Sequence, residues 1–157
     1  MNNQIEILRK TRNYVLTFIE DLSIEQLNEI PAGFNNNIIW NVGHIIAAQQ
    51  GVAYFRAGLP MHIDKEFFLA FKPDSKPEQF INTEKVDEIK QLLVSTMDQF
   101  EIDYQNNTFG HYKTWTTRYG VEISNIHEAL NFLPYHEGLH LGYIMALKRL
   151  VKNKSKI

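Results

Sequence analysis

Two histidines and a glutamate late in the chain have the spacing of a metal-binding motif. His136, Glu137 and His140 lie in the run His-Glu-Gly-Leu-His, which matches the HExxH pattern of zinc peptidases. On a helix, residues four apart share one face, with Cβ atoms about 5 to 6 Å apart. Imidazole nitrogens bind zinc at about 2.0 to 2.1 Å, so both rings could reach one ion. Two ligands do not make a tight site, and a third must come from elsewhere.

The sequence after this motif lacks the third ligand that a zinc peptidase would use. Such enzymes take it from an Asp or Glu downstream of the second histidine, or from a histidine six residues after it. Residues 141–157 contain no Asp, Glu or His, and position 146 is Ala. The chain has no cysteine, so only histidine and carboxylate ligands remain. The third ligand is therefore expected upstream.

His44 is the best upstream candidate, because it lies in the middle of a predicted helix on an apolar stripe. An unpaired imidazole would be costly to bury there, and a metal ion shared with His136 and His140 would give it a partner. The small residues of the stripe are expected to let another helix approach closely, and its two aromatic residues are assigned to the core. The stripe consists of Trp40, His44, Ala47, Ala48, Gly51 and Phe55.

The remaining histidines are interpreted as surface or hydrogen-bonded residues, which is the commoner role of an isolated histidine. They are His62, His111 and His127. Tyr143 shares the helix face of His136 and His140 by its spacing, and bundle packing is at least as good an explanation for it as a place in the site.

Composition limits the classes of protein to which this chain can belong. Its 157 residues, 44% of them hydrophobic, suit one domain, residues 1–157, with its own core. The net charge of -2 and the absence of a basic block give no argument for binding nucleic acid or an anionic membrane. No signal pattern and no apolar run of membrane-spanning length is present, so a cytoplasmic protein is expected.

Apolar periodicity predicts mainly helices. The segment from residue 61 to 81 reads as a long connection with about one helical turn, and residues 104–124 are rich in Gly, Asn and Thr and could hold a brief strand. Pro134 falls inside the last helix, where a kink is expected. The fold class is therefore all-α, a four-helix bundle with a long crossover connection. The predicted helices run from Asn3 to Leu22, from Ser23 to Pro31 as a short capped helix, from Ile38 to about Ala57, from Asn82 or Thr83 onward, and from just after Ser124 to about Lys152.

These features together resemble the DinB/YfiT-like superfamily, whose members are proposed to be metal-dependent enzymes. The similarity covers nearly the whole chain and is most specific at Gly43-His44-Ile45 and from His136 to Gly142. It implies a helical bundle, often a homodimer, in which three histidines bind a divalent ion, commonly zinc or nickel. Carried over by position, the ligands are His44, His136 and His140. Better-studied relatives activate a low-molecular-weight thiol for transfer or isomerisation, and nothing in the resemblance implies DNA binding.

One departure from the family concerns the residues beside the second motif histidine. Where relatives frequently have His-Arg-Gly-Gln, this chain has His140-Leu141-Gly142-Tyr143, so the basic and amide groups are absent. The glycine is kept.

Three functional hypotheses remain open. The first is a metal-dependent enzyme that activates an external thiol or water and acts on a small-molecule substrate, because three imidazoles leave a coordination position free. The second is a non-catalytic metal- or ligand-binding bundle. The third is a metallohydrolase in which Glu137 is the general base. Glu137 lies about 100 degrees around the helix from His136, so an inter-helix salt bridge is an equally good role for it.

Overall fold

The structure is a computed structural model, and it describes residues 3–153, so the predicted domain bounds of 1–157 extend past it at both ends. The described chain is mostly helical and carries one two-stranded antiparallel sheet, which confirms the all-α class. The helices are α1 (Asn3–Ile19), α2 (Ile24–Asn28), α3 (Ile38–Gln50), α4 (Lys65–Phe71), α5 (Thr83–Gln105) and α6 (Ile126–Asn153). The strands are β1 (Trp115–Thr116) and β2 (Glu122–Ile123).

Polar side chains begin the helices where the sequence predicted. The Ser23 hydroxyl accepts a hydrogen bond from the Gln26 backbone at 3.2 Å, and the Gln26 side chain accepts from the Ser23 backbone at 3.0 Å, which completes a capping box. Asn37 and Asn82 cap α3 and α5 with their side-chain oxygens. Because these caps use residues within one turn of each other, the sequence alone was enough to predict them.

Four long helices form the frame of the fold. Helix α1 contacts α5 and α6, and α3 also contacts α5 and α6, so these four helices close a ring around the core. Each contributes an apolar face at helical spacing. In α5, the buried residues of this face are Val86, Ile89, Leu93, Thr96, Met97 and Phe100.

The crossover between α3 and α5 is more ordered than the sequence predicted. Its helix α4 has seven residues rather than one turn, begins at the cap Asp64 and buries Phe67 and Phe71. Two anchors four residues apart are too few to establish a period, which is why the pattern was missed. Helix α4 packs against α3, the helix that carries His44.

Helix α3 does not continue as a regular α-helix to Ala57. After Gln50 it widens into a π-helix at Gly51–Phe55, and the chain then leaves the helix at Gly58, whose φ of 70° is left-handed. The predicted helical range, Ile38 to about Ala57, is therefore confirmed, whereas the π-helical stretch within it was not predicted. A π-helix of five residues is too short to leave a signature in the spacing of apolar residues.

The brief strand predicted within residues 104–124 is present as a hairpin. Trp115 pairs with Ile123, and Thr116 pairs with Glu122. Gly120 has a φ of 81° in the connecting turn, and the Thr117 backbone bonds to Val121 at 2.8 Å. Across the described residues, no helix is both long and apolar enough to cross a membrane.

Candidate metal centre

Helices α3 and α6 bring the three predicted histidines together. Their ligand nitrogens all lie within 4.8 Å of one another. The Nε2 atoms of His44 and His136 are 3.3 Å apart. Two nitrogens bound at about 2.0 to 2.1 Å to one tetrahedral ion would be about 3.3 Å apart, so this spacing suits a shared metal. His136 and His140, one turn apart on α6, complete the group as their spacing predicted.

Hydrogen bonds hold two of the three rings in a metal-binding tautomer. His44 donates from Nδ1 to the backbone carbonyl of Phe71 at 2.7 Å, and His140 donates from Nδ1 to Asn41 Oδ1 at 2.8 Å. A carbonyl oxygen can only accept, so the ring proton lies on Nδ1 and the Nε2 lone pair is free. Such partners of the far nitrogen orient metal-binding histidines in proteins.

The amide of Asn41 is itself held in the orientation that this bond requires. Its nitrogen donates to the Asn37 carbonyl at 2.7 Å and to Asn36 Oδ1 at 2.9 Å, so its oxygen is the atom turned toward His140. Asn41 is fully buried. A chain of asparagines at the start of α3 therefore positions a ring on α6.

The third ring, that of His136, lacks such a hydrogen bond in the described part of the chain. His136 Nδ1 is buried and has no hydrogen-bond partner within residues 3–153. Its other nitrogen faces the unprotonated Nε2 of His44 at 3.3 Å, where the two nitrogens can share one proton or one ion.

Burial keeps the three imidazoles neutral. It lowers the pKa of His136 to about 3 and that of His140 to about 3, and it lowers the pKa of His44 as well. The nearby histidines and the positive charge of Arg118 add to the lowering for His136 and His140. Neutral imidazole is the form that binds metal, so the site needs no deprotonation near neutral pH.

A glycine lets α4 reach the first histidine. A Cβ at Gly43 would overlap the ring of Phe71, so only glycine allows this close packing. Of the stripe residues where a close approach was expected, Gly51 has the Phe68 ring of α4 3.4 Å from the position of an added Cβ. The approach at Gly43, one residue before His44, is tighter. Phe71 is thereby placed with its carbonyl on the His44 ring.

The small residues of the stripe open a cavity of about 680 Å³ beside the histidines. Its walls include Ala47, Ala48 and Gly51 from the stripe, and the hairpin closes another side. Trp40 is buried as predicted and stacks on His44 with ring centres 4.8 Å apart. The assignment of Phe55 to the core was wrong: it is 61% exposed and lines the cavity. Phe55 lies in the π-helix, whose wider turn displaces side chains from α-helical phase.

Glu137 lies outside the cavity lining. Its side chain is 1% exposed and forms an ion pair with Arg12 of α1, with the closest atoms 2.7 Å apart. Burial raises the pKa of Glu137, and the Arg12 guanidinium opposes this with paired hydrogen bonds. Of the two roles considered for Glu137, its surroundings match the inter-helix salt bridge.

The other polar candidates are not among the residues that line the cavity. Tyr143 packs edge-on against Phe34 at 5.5 Å. The ring of His127 is bonded to the Tyr104 hydroxyl at 2.7 Å, and His111 is exposed. His62 is 41% exposed and lies 3.4 Å from Asp103. These positions agree with the interpretation of the three isolated histidines as surface or hydrogen-bonded residues.

Sequence reasoning missed two residues beside the site. Asn41 had a usable signal, because it is an asparagine in an apolar helix, one turn before His44. Arg118 had none, since it lies in a polar loop segment far from both motifs.

A comparison with protein-family models matches residues 7–144 to the family described as the DinB superfamily. The matched range is more than half of the chain and contains His44, His136 and His140. Among curated proteins, the search found no match.

Proposed function

The chain belongs to the DinB superfamily, and from this membership and the site geometry we propose that it is a divalent-metal-dependent enzyme. His44, His136 and His140 would hold the ion. The family resemblance points to zinc or nickel, and an all-imidazole donor set suits both. The observation that supports this most is the 3.3 Å separation of two Nε2 atoms beside a cavity, with the far nitrogens of His44 and His140 already bonded.

The proposed chemistry is activation of an external thiol or of water for transfer or isomerisation. When bound, a divalent ion supplies Lewis-acid chemistry: it lowers the pKa of a thiol or water ligand toward neutrality. Three protein ligands leave a position for such a molecule. The chain has no cysteine, so a thiol must be a separate molecule.

The protein's own residues prepare the site for this chemistry. Phe71 and Asn41 hold the His44 and His140 rings in the tautomer that leaves Nε2 free. Trp40 stacks on His44 and shields that ring from water on one side. The cavity gives a small molecule access to the free nitrogens.

The peptidase alternative depends on Glu137 as the general base. Its ion pair with Arg12 and its position outside the cavity lining do not support that role, because a base must reach the proton it removes. If Glu137→Gln abolished activity on generic peptides without changing the melting temperature, this alternative would be preferred.

Metal analysis of purified and zinc-reconstituted protein tests the proposal. We expect one divalent ion per chain in the wild type, and loss of tight binding in His44→Ala, His136→Ala and His140→Ala. His111→Ala is the matched control and should keep its metal, since His111 is exposed and outside the site. Absence of metal in the wild type, with unchanged melting in all three variants, would refute the site.

A second measurement separates an enzyme from a bundle that is only held together by metal. In cobalt-substituted protein, added thiol should change the visible spectrum if the ion has an open position facing the cavity. A spectrum unaffected by thiols, combined with a large loss of stability on metal removal, would favour the structural role.

A further inference from the structure

The cavity beside the histidines has a surplus of positive charge, although the whole chain carries a net charge of -2. Arg56, Lys72 and Arg118 line it, with Asp74 as the carboxylate among the lining residues. Three cations against one anion leave a local excess of two positive charges. A cavity with such a surplus concentrates anionic ligands.

Arg118 is the cation best placed to bind a ligand. It lies between β1 and β2, and its side chain is 69% exposed. Its ion pair with Asp74 is 3.8 Å long, and Asp74 is itself 92% exposed, so water competes strongly with this contact. The guanidinium can therefore turn its donors toward a carboxylate, which it matches with two parallel hydrogen bonds.

Arg118 also lies near the metal centre. It lines the same cavity as His44, His136 and His140. A ligand that bridges the guanidinium and the histidines would occupy the cavity between them.

Arg56 has a different environment from Arg118. Its guanidinium lies over the Trp115 ring, 5.1 Å from the ring centre, and its backbone carbonyl accepts from Lys113 at 2.7 Å. This contact orients Trp115, which also donates from its indole nitrogen to the Tyr112 hydroxyl at 3.0 Å. Arg56 therefore supports an aromatic wall, which leaves Lys72 and Arg118. Of these two, Arg118 has the planar fork of donors that matches a carboxylate, whereas Lys72 is a point charge, so Arg118 is assigned as the acid-binding group.

The remaining walls are largely apolar. Trp115 and Phe132 meet edge to face with ring centres 5.8 Å apart, and Phe55 is exposed at the cavity. Phe68 approaches from α4. The volume of about 680 Å³ falls within the range of about 300 to 1,000 Å³ that is typical of small-molecule sites.

We propose that the cavity binds a small carboxylic acid with an apolar body, whose carboxylate pairs with Arg118 and whose body packs against Phe55, Trp115 and Phe132. The inference rests on the proposed function, because it assigns the substrate class of the same site. The hairpin, which stands outside the ring of helices, is then the element that selects the acid.

Tryptophan fluorescence can measure this binding directly, because both tryptophans of the chain, Trp40 and Trp115, line the cavity. The probes are phenylacetate and its neutral counterpart phenylacetamide, titrated into zinc-loaded and metal-free protein. Phenylacetate should bind the more tightly of the two. Arg118→Gln should weaken phenylacetate binding roughly tenfold or more and leave phenylacetamide unchanged, since a charge-assisted pair is lost.

Two further variants serve as controls for Arg118→Gln. Arg118→Lys preserves the charge without the fork of donors and should lose less affinity than Arg118→Gln. Arg149→Gln removes another exposed arginine that does not line the cavity, and it should bind phenylacetate as the wild type does. Arg118 is exposed, so its substitutions should leave the melting temperature unchanged.

Equal affinity for acid and amide, or undiminished phenylacetate binding in Arg118→Gln, would overturn the inference. Phenyl phosphate binding more tightly than phenylacetate would also overturn it, in favour of a phosphate ester. Zinc content is measured on each sample. Failure to take up zinc would refute the proposed function, whereas the metal-free titration would still decide whether Arg118 binds the acid.

Discussion

At the scale of single residues, the three histidines differ in what holds them. His44 is bonded to a backbone carbonyl, His140 to an asparagine side chain, and the far nitrogen of His136 has no partner among the described residues. A side-chain partner can be removed by mutation without moving the backbone. Asn41 is therefore the residue through which ring orientation can be tested.

We predict that Asn41→Ala weakens zinc binding about 10- to 100-fold, the usual cost of losing a partner to a metal-binding histidine. Asn41→Asp keeps the oxygen that accepts from His140 Nδ1 and should bind zinc more tightly than Asn41→Ala. Competition with a chromophoric chelator measures both affinities. Wild-type affinity in a folded Asn41→Ala variant would contradict this positioning role.

A second residue-scale prediction concerns pH. His136 and His140 have pKa values of about 3 in the fold, against 6.5 for free imidazole, so below pH 6.5 the unfolded chain takes up protons that the folded chain does not. Stability is therefore full above pH 6.5 and falls as the pH decreases toward 3. Near pH 5 the loss is on the order of 2 kcal/mol for each histidine.

Urea unfolding of metal-free protein across this pH range provides the measurement. The double variant His136→Gln, His140→Gln should lose much of the pH dependence, and His111→Gln should keep it. An identical pH profile in the wild type and the double variant would show that the fold does not hold these two rings in the neutral form.

At the scale of elements, the site depends on two contacts between helices. Helix α4 reaches His44 only because residue 43 is glycine. Helix α6 is tied to α1 by the buried pair of Arg12 and Glu137, and Arg12 also donates to the Leu93 carbonyl of α5 at 3.0 Å. The packing of α4 on Gly43 sets the orientation of the His44 ring. The pair of Arg12 and Glu137 links α6, which carries the other two histidines, to its neighbours.

We predict that Gly43→Ala displaces Phe71, weakens zinc binding and lowers stability by about 1 to 3 kcal/mol, as overpacking usually does. Gly138→Ala is the matched control. It also lies in a helix, but its added Cβ meets nothing within 4 Å, so it should be neutral or stabilising. Zinc titration and thermal melting of both variants test this prediction. Equal zinc affinities and equal melting temperatures in the two variants would contradict the role of Gly43.

The ion pair of Arg12 and Glu137 should behave as a buried structural pair. Arg12→Met and Glu137→Leu should each destabilise the fold by about 3 to 5 kcal/mol, because each leaves a buried group without its partner. The double variant should cost clearly less than the sum of the two. Denaturant unfolding of the four proteins gives the coupling energy, and simple additivity would show that the pair is not coupled.

At the scale of the whole molecule, the candidate metal centre joins α3 and α6. Its ligands on these two helices, such as His44 and His136, are about ninety positions apart along the chain. A ligand bound between two packed helices favours the folded state over the unfolded one. Its contribution grows with the ratio of free ligand to dissociation constant. Metal binding and the stability of the bundle should therefore be measurable together.

We predict that zinc at about a thousand times its dissociation constant adds about 4 kcal/mol of stability. For a chain of this size that corresponds to a rise in melting temperature of roughly 10 °C. His140→Ala should lose most of this increase, and His111→Ala should retain it. Equal zinc stabilisation of both variants would place the bound ion somewhere other than the three histidines.

The sequence by itself determined the features that depend on near neighbours. Helix spacing and caps predicted most helix starts, the four-residue spacing placed His136 and His140 on one face, and the missing downstream ligand directed attention to His44. These inferences worked because periodicity and capping involve residues within a few positions of one another.

Only the tertiary structure decided what distant residues do to one another. The bond from His140 to Asn41 spans 99 positions, and the pair of Arg12 and Glu137 spans 125. The packing of α4 on Gly43 and the closure of the cavity by the hairpin likewise arise when separate elements meet. Such contacts depend on the angles and separations of packed helices, which local patterns do not encode.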